Sequence, residues 1–218
     1  MTETDRQLAS LALRGRWARR LLLAVIALCT SGLMVVLLSL VGPDGFRIDQ
    51  LLAVLGGVLL LIYSFVSLAA ALLIALWIWR AHSNLRALGL TDLTHSPGWA
   101  VLSFLVPVLN LVVPFQAMRE LYNRSIGEEA IHAAQSAPDV TSWWTAYLFG
   151  GIIPAVLLFL KLVGPATGIH VVTPPVADGI MLGFALVLIA TAAFFLQRII
   201  ATVTAAQGAV TGIGDTFA

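Results

Sequence analysis

Residues 51–80 read LLAVLGGVLL LIYSFVSLAA ALLIALWIWR: 29 uncharged positions from Leu51 to Trp79, closed by Arg80. A helix rises 1.5 Å per residue, so about 20 apolar residues cross the ~30 Å hydrocarbon core of a bilayer. The run ends on an aromatic and a cation, the pairing that anchors helix ends at the lipid–water boundary. Three further stretches have the same character on either side of it. They run from Leu21 to Val41, before Gly42-Pro43; from Ser142 to Val163, opened by Trp143-Trp144 and followed by Gly164-Pro165; and from Gly179 to Ile200. Inside hydrocarbon a helix satisfies its own backbone hydrogen bonds. The fold expected is therefore an all-α integral membrane protein, one membrane domain over 1–218, with transmembrane helices at 21–41, 51–79, 142–163 and 179–200.

Composition points the same way. The chain is 60% hydrophobic and 11% charged, with mean hydropathy +0.97, whereas a soluble domain carries roughly 25% charged residues. A net charge of +1 gives no basic field of the kind nucleic acid requires, so no nucleic-acid partner is expected. The single cysteine, Cys29, allows no intrachain disulfide. Arg14, Arg16, Arg19 and Arg20 ahead of an apolar run resemble the start of a signal peptide, but the uncharged stretch 21–43 is too long for an h-region of ~7–15 residues. Ile26-Ala27-Leu28-Cys29 has a bulky Leu28 where a lipoprotein signal wants a small residue.

Residues 97–118 are apolar and nearly long enough to cross. Pro107 and Pro114 interrupt them, with Asn110 between; each proline removes a backbone donor and clashes with the preceding turn. Cationic residues arbitrate through their excess on the cytoplasmic side. If 97–118 does not cross, ten arginines (Arg6, Arg14, Arg16, Arg19, Arg20, Arg80, Arg86, Arg119, Arg124, Arg198) lie inside, against Arg47 and Lys161 outside. If it crosses, the count falls to eight against four. The expectation is two hairpins with both termini cytoplasmic in an inner (cytoplasmic) membrane. A proline-broken re-entrant or interfacial segment at 97–118 and a cytoplasmic connection at 119–140 separate them. Leu40-Val41-Gly42-Pro43 and Leu162-Val163-Gly164-Pro165 close the first helix of each hairpin, which raises the idea of a parallel repeat. The tail after Ala205 is expected to fray.

Chemistry is sparse. The four spans hold no ionisable residue near mid-depth, where such residues mark function; Lys161 and Arg198 lie close enough to helix ends to snorkel. The histidines His82, His95, His132 and His170 show no metal-ligand spacing, and no hydrolase, zincin, phosphate-loop or dinucleotide motif occurs. No catalytic residue, metal site or cofactor is assigned. Ser67, Ala71 and Ala75 recur every fourth residue, and Gly179 and Gly183 open the last span. Small residues so spaced form a candidate helix-packing or oligomer face. The densest polar collection is Arg80, His82, Asn84 and Arg86, then Arg119, Glu120, Asn123 and Arg124; of these Arg80, His82, Asn84, Arg86, Arg119 and Glu120, with Asn110, make a candidate site for a lipid headgroup, a partner helix or a small ligand. Glu120 and Arg124 are spaced to pair on a helix, and Arg80 is brought toward Glu120 if 97–118 dips and returns.

These residues also carry a resemblance. Trp79 to Gly89 (WRAHSNLRALG), Ser96 to Ala100 (SPGWA) and Phe104 to Leu121 (FLVPVLNLVVPFQAMREL) resemble a bacterial membrane family labelled domain of unknown function 4328. The resemblance implies a bacterial multi-span membrane protein and marks Arg80, Asn84, Pro107, Asn110, Pro114, Arg119 and Glu120 as a unit. The expected function is that of a non-catalytic accessory, scaffold or assembly subunit working through helix and headgroup contacts. Its expected partners are membrane lipids and a protein partner or second copy. The alternatives are a small oligomeric channel or transporter gated by the broken segment, and a membrane enzyme acting on a lipid-like substrate.

Overall fold

In a computed structural model of the chain, residues 3–41, 46–90, 92–167 and 174–214 are described. All regular structure among them is helical: α1 (Glu3–Val41), α2 (Phe46–Ala87), α3 (Pro97–Leu102), α4 (Val113–Ser125), α5 (Pro138–Thr167) and α6 (Pro175–Gly214), with short 3-10 turns at Leu109–Leu111 and Ala130–His132. Four helices, α1, α2, α5 and α6, are long and apolar enough to cross a membrane. This is a multi-pass membrane protein.

The helices exceed the spans legible in the sequence. α1, α2 and α6 have 39, 42 and 40 residues, about 60 Å each at 1.5 Å per residue, roughly twice the hydrocarbon thickness. The excess gathers at one end, here termed the charged end, where Arg14, Arg80 and Arg198 lie. Each extension is helical because it has a face to bury. On α1, Leu11, Gly15, Ala18, Leu22, Val25 and Cys29 follow a four-three spacing and are all buried, the stripe of a helix against a partner. That partner is α6: a Cβ on Gly15 would lie 3.1 Å from Thr204 Oγ1 and 3.4 Å from Ile200 Cγ2. The stretch after Ala205, expected to fray, is helical as far as it is described, and residues 215–218 lie outside the described residues. Helix continues to Gly214, and Gln207 is buried.

α1 packs along both α2 and α6, and α5 packs along α6. The lateral order is thus α2, α1, α6, α5. α4 touches α2, α5 and α6 together, closing at the charged end the space that stays open between α2 and α5 farther along. The tightest packing is also there: Trp77, Leu85, Leu121, Ile199 and Ile200 are all but inaccessible. Farther along, side chains such as Leu51, Phe65, Phe159 and Phe184 are exposed. Apolar burial is favourable where water is the alternative; where lipid is the alternative that drive is absent.

Two expectations about the ends of the spans change. α5 runs through Gly164 and Pro165 to Thr167, so Gly-Pro falls in its last turn, where a proline removes only one helix bond. Gly42 and Pro43 lie outside the described residues. The matched Gly-Pro stops therefore give no support to an internal repeat.

Segment 97–118 is not broken at each proline. Pro97 and Pro114 occupy first-turn positions of α3 and α4, where the missing N–H is unpaired anyway. The Ser96 hydroxyl caps α3 by accepting from the Trp99 N–H at 3.1 Å. The break is the turn region between Leu102 and Val113. Its second arm does not stop at Met118 but continues as α4 into the expected connection, ending at Ser125. With 6 and 13 residues, neither helix reaches the length needed to cross.

Candidate functional site

The seven residues of the expected polar site do not converge on one point. They fall into separate fastenings at the charged end.

The central one is Glu120. α4 presents its carboxylate to the loop ahead of α3, where Oε1 accepts from the Thr94 N–H at 2.6 Å and Oε2 from the His95 N–H at 3.0 Å. His95 Nδ1 lies 2.7 Å from the same Oε2. Both side chains are buried, Glu120 at 5% exposure and His95 at 9%. Burial pushes the Glu120 carboxyl up, but the His95 ring and the two backbone N–H groups outweigh it and hold the carboxyl below its ordinary range. The expected Glu120–Arg124 pair does not form. Arg124 instead donates from Nη2 to Asp92 Oδ1 at 2.9 Å and from Nη1 to the Glu128 carbonyl at 2.8 Å. A fixed loop offering two N–H groups outcompetes a helix neighbour worth a few tenths of a kcal/mol.

His82 is fully buried, and its Nδ1–H donates to the Ile78 carbonyl at 3.1 Å. Asn84, equally enclosed, donates to Gln207 Oε1 at 3.3 Å. The Gln207 amide donates in turn to the Ala81 carbonyl at 3.1 Å and to Ser125 Oγ at 3.0 Å. That chain ties α2, α4 and α6 together, with Asn84 Oδ1 buried and unpartnered. Asn123 adds a third fastening, its amide lying within 3.4 Å of the carbonyls of His132, Ala133 and Gln135.

Arg80 is not beside Glu120. Its Nε donates to the Gln7 carbonyl of α1 at 3.4 Å, while Arg14 of α1 reaches back to the Leu76 carbonyl at 3.0 Å. α1 and α2 are thus laced in both directions. Arg119 stacks over the Phe115 ring at 5.0 Å, Arg86 is exposed, and Asn110 lies on the apolar turn with its Oδ1 buried and unpartnered. His170 lies outside the described residues.

The small residues separate likewise. Gly179 and Gly183 receive α1: their added Cβ atoms would meet Leu40 at 3.0 Å and Leu33 at 3.3 Å. Ser67 and Ala71 instead line a space between α2 and α5, and Ala75 is half-buried close by.

Sequence reasoning missed Thr94, Gln207 and Trp77, whose indole N–H donates to Thr204 Oγ1 at 3.1 Å. Only Gln207 left a signal, as an amide one turn beyond the buried Val203 on the same helical stripe. The described polar groups at this end bond mainly to the chain's own backbone and to one another.

No curated protein and no solved structure matches the chain. The family described as a domain of unknown function (DUF4328) matches residues 38–205, from the end of α1 to the last turns of α6, and the chain belongs to that family.

Proposed function

We propose that the chain is a non-catalytic accessory, scaffold or assembly subunit of a membrane complex in the bacterial inner membrane, acting through helix and lipid-headgroup contacts. In this reading the helices form two hairpins with both termini in the cytoplasm, and segment 97–118 lies in the inner interface. The observation that carries the proposal is the contrast between the two halves of α2. Its charged end is locked by Trp77, Arg80 and Asn84, which bond to Thr204, Gln7 and Gln207. Along the bilayer only 6% of its most apolar stretch is buried. A helix held so firmly at one end presents a long apolar face to lipid or to another protein.

The topology rests on further support. The exposed Arg16, Arg19 and Arg20 surround Trp17, with Arg20 stacked on its ring at 4.9 Å, a composition suited to anionic headgroups. Leu102, Leu105, Val108, Leu111 and Val112 are exposed on the broken segment at the same end, as suits a surface dipping into lipid. The channel reading draws less support, because α3 rests on α2 and α4 and the cavities at bilayer depth are lined mostly by apolar side chains.

A photo-crosslinking residue at Phe65, exposed on α2, tests the proposal after purification in nanodiscs. The expected result is one discrete protein adduct, the same partner co-purifying in constant ratio. Adducts with lipid alone, from a chain that purifies without a partner, would overturn it. A cysteine at the exposed Glu129, with Cys29→Ala, should resist an impermeant maleimide added from the periplasm; rapid labelling would reverse the topology.

A further inference from the structure

We infer that the cleft between α2 and α5 holds the hydrocarbon chain of a membrane lipid as a resident ligand. α2 packs on α1 and α5 on α6, with no extensive contact between α2 and α5. Two cavities adjoin in the gap. The larger, about 480 Å³, is bounded by Gly32, Val36, Gly56, Leu60, Pro154 and Ala185 among others. The smaller, about 240 Å³, lies toward Ser67, Ala71 and Trp143. Tyr63, Gly151 and Ile189 line both, so the cleft is continuous. From Gly56 to Ile74 on α2 it extends about 27 Å at 1.5 Å per residue, close to the hydrocarbon thickness.

The glycines leave the space unfilled. A glycine within a helix is destabilising unless something requires it. Gly150 has such a reason: a Cβ there would lie 3.2 Å from the Ile189 backbone nitrogen. Its neighbour Gly151 has none from the protein, since a Cβ there would meet nothing within 4 Å. On Gly56 it would meet only Val35, at 3.8 Å.

Size selects the occupant. Water requires two to four polar partners per molecule, and the larger cavity's lining is almost wholly apolar. An apolar cavity of about 150 Å³ takes up one benzene. On that scale 480 Å³ receives about 19 carbons, one lipid chain. An acyl chain and an isoprenoid chain share this chemistry.

The test is native mass spectrometry and lipid analysis of the full chain after mild detergent extraction, for the unmodified protein, Gly151→Leu and Gly57→Leu. Gly57 points into open space and lines neither cavity, so it controls for added bulk. The expected result is about one retained lipid per chain, reduced at least fivefold by Gly151→Leu and unchanged by Gly57→Leu. Equal retention in all three, or none in the unmodified protein, would overturn the inference. Should Gly151→Leu fail to accumulate, diazirine-bearing lipids decide the matter on the unmodified chain. Adducts are expected on Ile189, inside the cleft, from an acyl probe if the source is phospholipid and from a polyprenyl probe if it is isoprenoid. Adducts on the outward Phe184 with none on Ile189 from either probe would refute it.

Discussion

Removing the Glu120 carboxylate should release the loop before α3 while leaving the membrane helices in place. In Glu120→Ala three donors lose their acceptor at once: the His95 N–H at 3.0 Å, the Thr94 N–H at 2.6 Å and the His95 ring at 2.7 Å. Hydrogen bonds to a charged group contribute about 1.5–3 kcal/mol each, and a stranded buried donor costs about 1–3. Thr94 is partly accessible and regains water, and contacts within one network do not add fully. The loss is therefore about 3–5 kcal/mol. By linkage at 1.36 kcal/mol per factor of ten, amide exchange at Thr94 and His95 should accelerate at least a hundredfold if local opening carries the loss. Hydrogen exchange in nanodiscs reads this directly, with amides in the middle of α6 as the unchanged reference. Protection within tenfold of the parent at both amides would show that the carboxylate does not hold the loop.

The same bond predicts acid lability. The folded-state pKa of Glu120 is depressed, so its contribution is complete above the ordinary carboxyl pKa of about 4.3 and is lost as pH falls through the depressed value. Loop protection should therefore decline in acid well below neutrality, and a loss already under way at pH 6 would contradict the assignment. Gln207→Ala strands the Ala81 carbonyl, Ser125 and Asn84, and should cost about 2–4 kcal/mol in detergent unfolding; a double-mutant cycle with Asn84→Ala should show at least about 0.5 kcal/mol of coupling. Gly150→Ala forces a Cβ to within 3.0 Å of the Ile189 side chain, whereas Gly151→Ala meets nothing. The first should lose about 1–3 kcal/mol and the second almost none, so equal thermal midpoints would contradict the helix contact. Asn110→Leu removes a buried, unpartnered oxygen and should leave thermal stability equal or raised by up to about 1 kcal/mol; a marked loss would assign the amide an unrecognised partner.

The four long apolar helices were legible because uncharged runs of 19 or more residues have few alternatives in a helical protein. Their true lengths were less so. Residues 3–20, 80–87 and 201–214 are polar enough to pass for loop or tail, and they stay helical because Leu11, Gly15, Ala81, Leu85 and Val203 have faces to bury. The four-three spacing of Leu11, Gly15, Ala18 and Leu22 was visible, though hydropathy over a long window averages it away. The polar site was legible as a list and illegible as an arrangement. Helix spacing favours Glu120 with Arg124, yet the loop that claims Glu120 lies 25 residues earlier. Nothing local marks that loop, because its donors are backbone N–H groups that every residue carries. Arg80 likewise turns to Gln7, 73 residues before it.

The central position of α1 and α6 has a consequence in time. α1 is made before α6, which carries the partner for its buried stripe. At 5–20 residues per second, roughly 10–35 s separate the emergence of Val41 from that of Gly214. Throughout that interval the α6 side of the stripe has no mate, and α2, whose Trp77 approaches Gly15, alone shields α1. Assembly is thus a waiting problem: the nascent chain must be protected from proteases and from premature association until α6 arrives, and ribosome pausing after α5 should shorten its life more than pausing after α2.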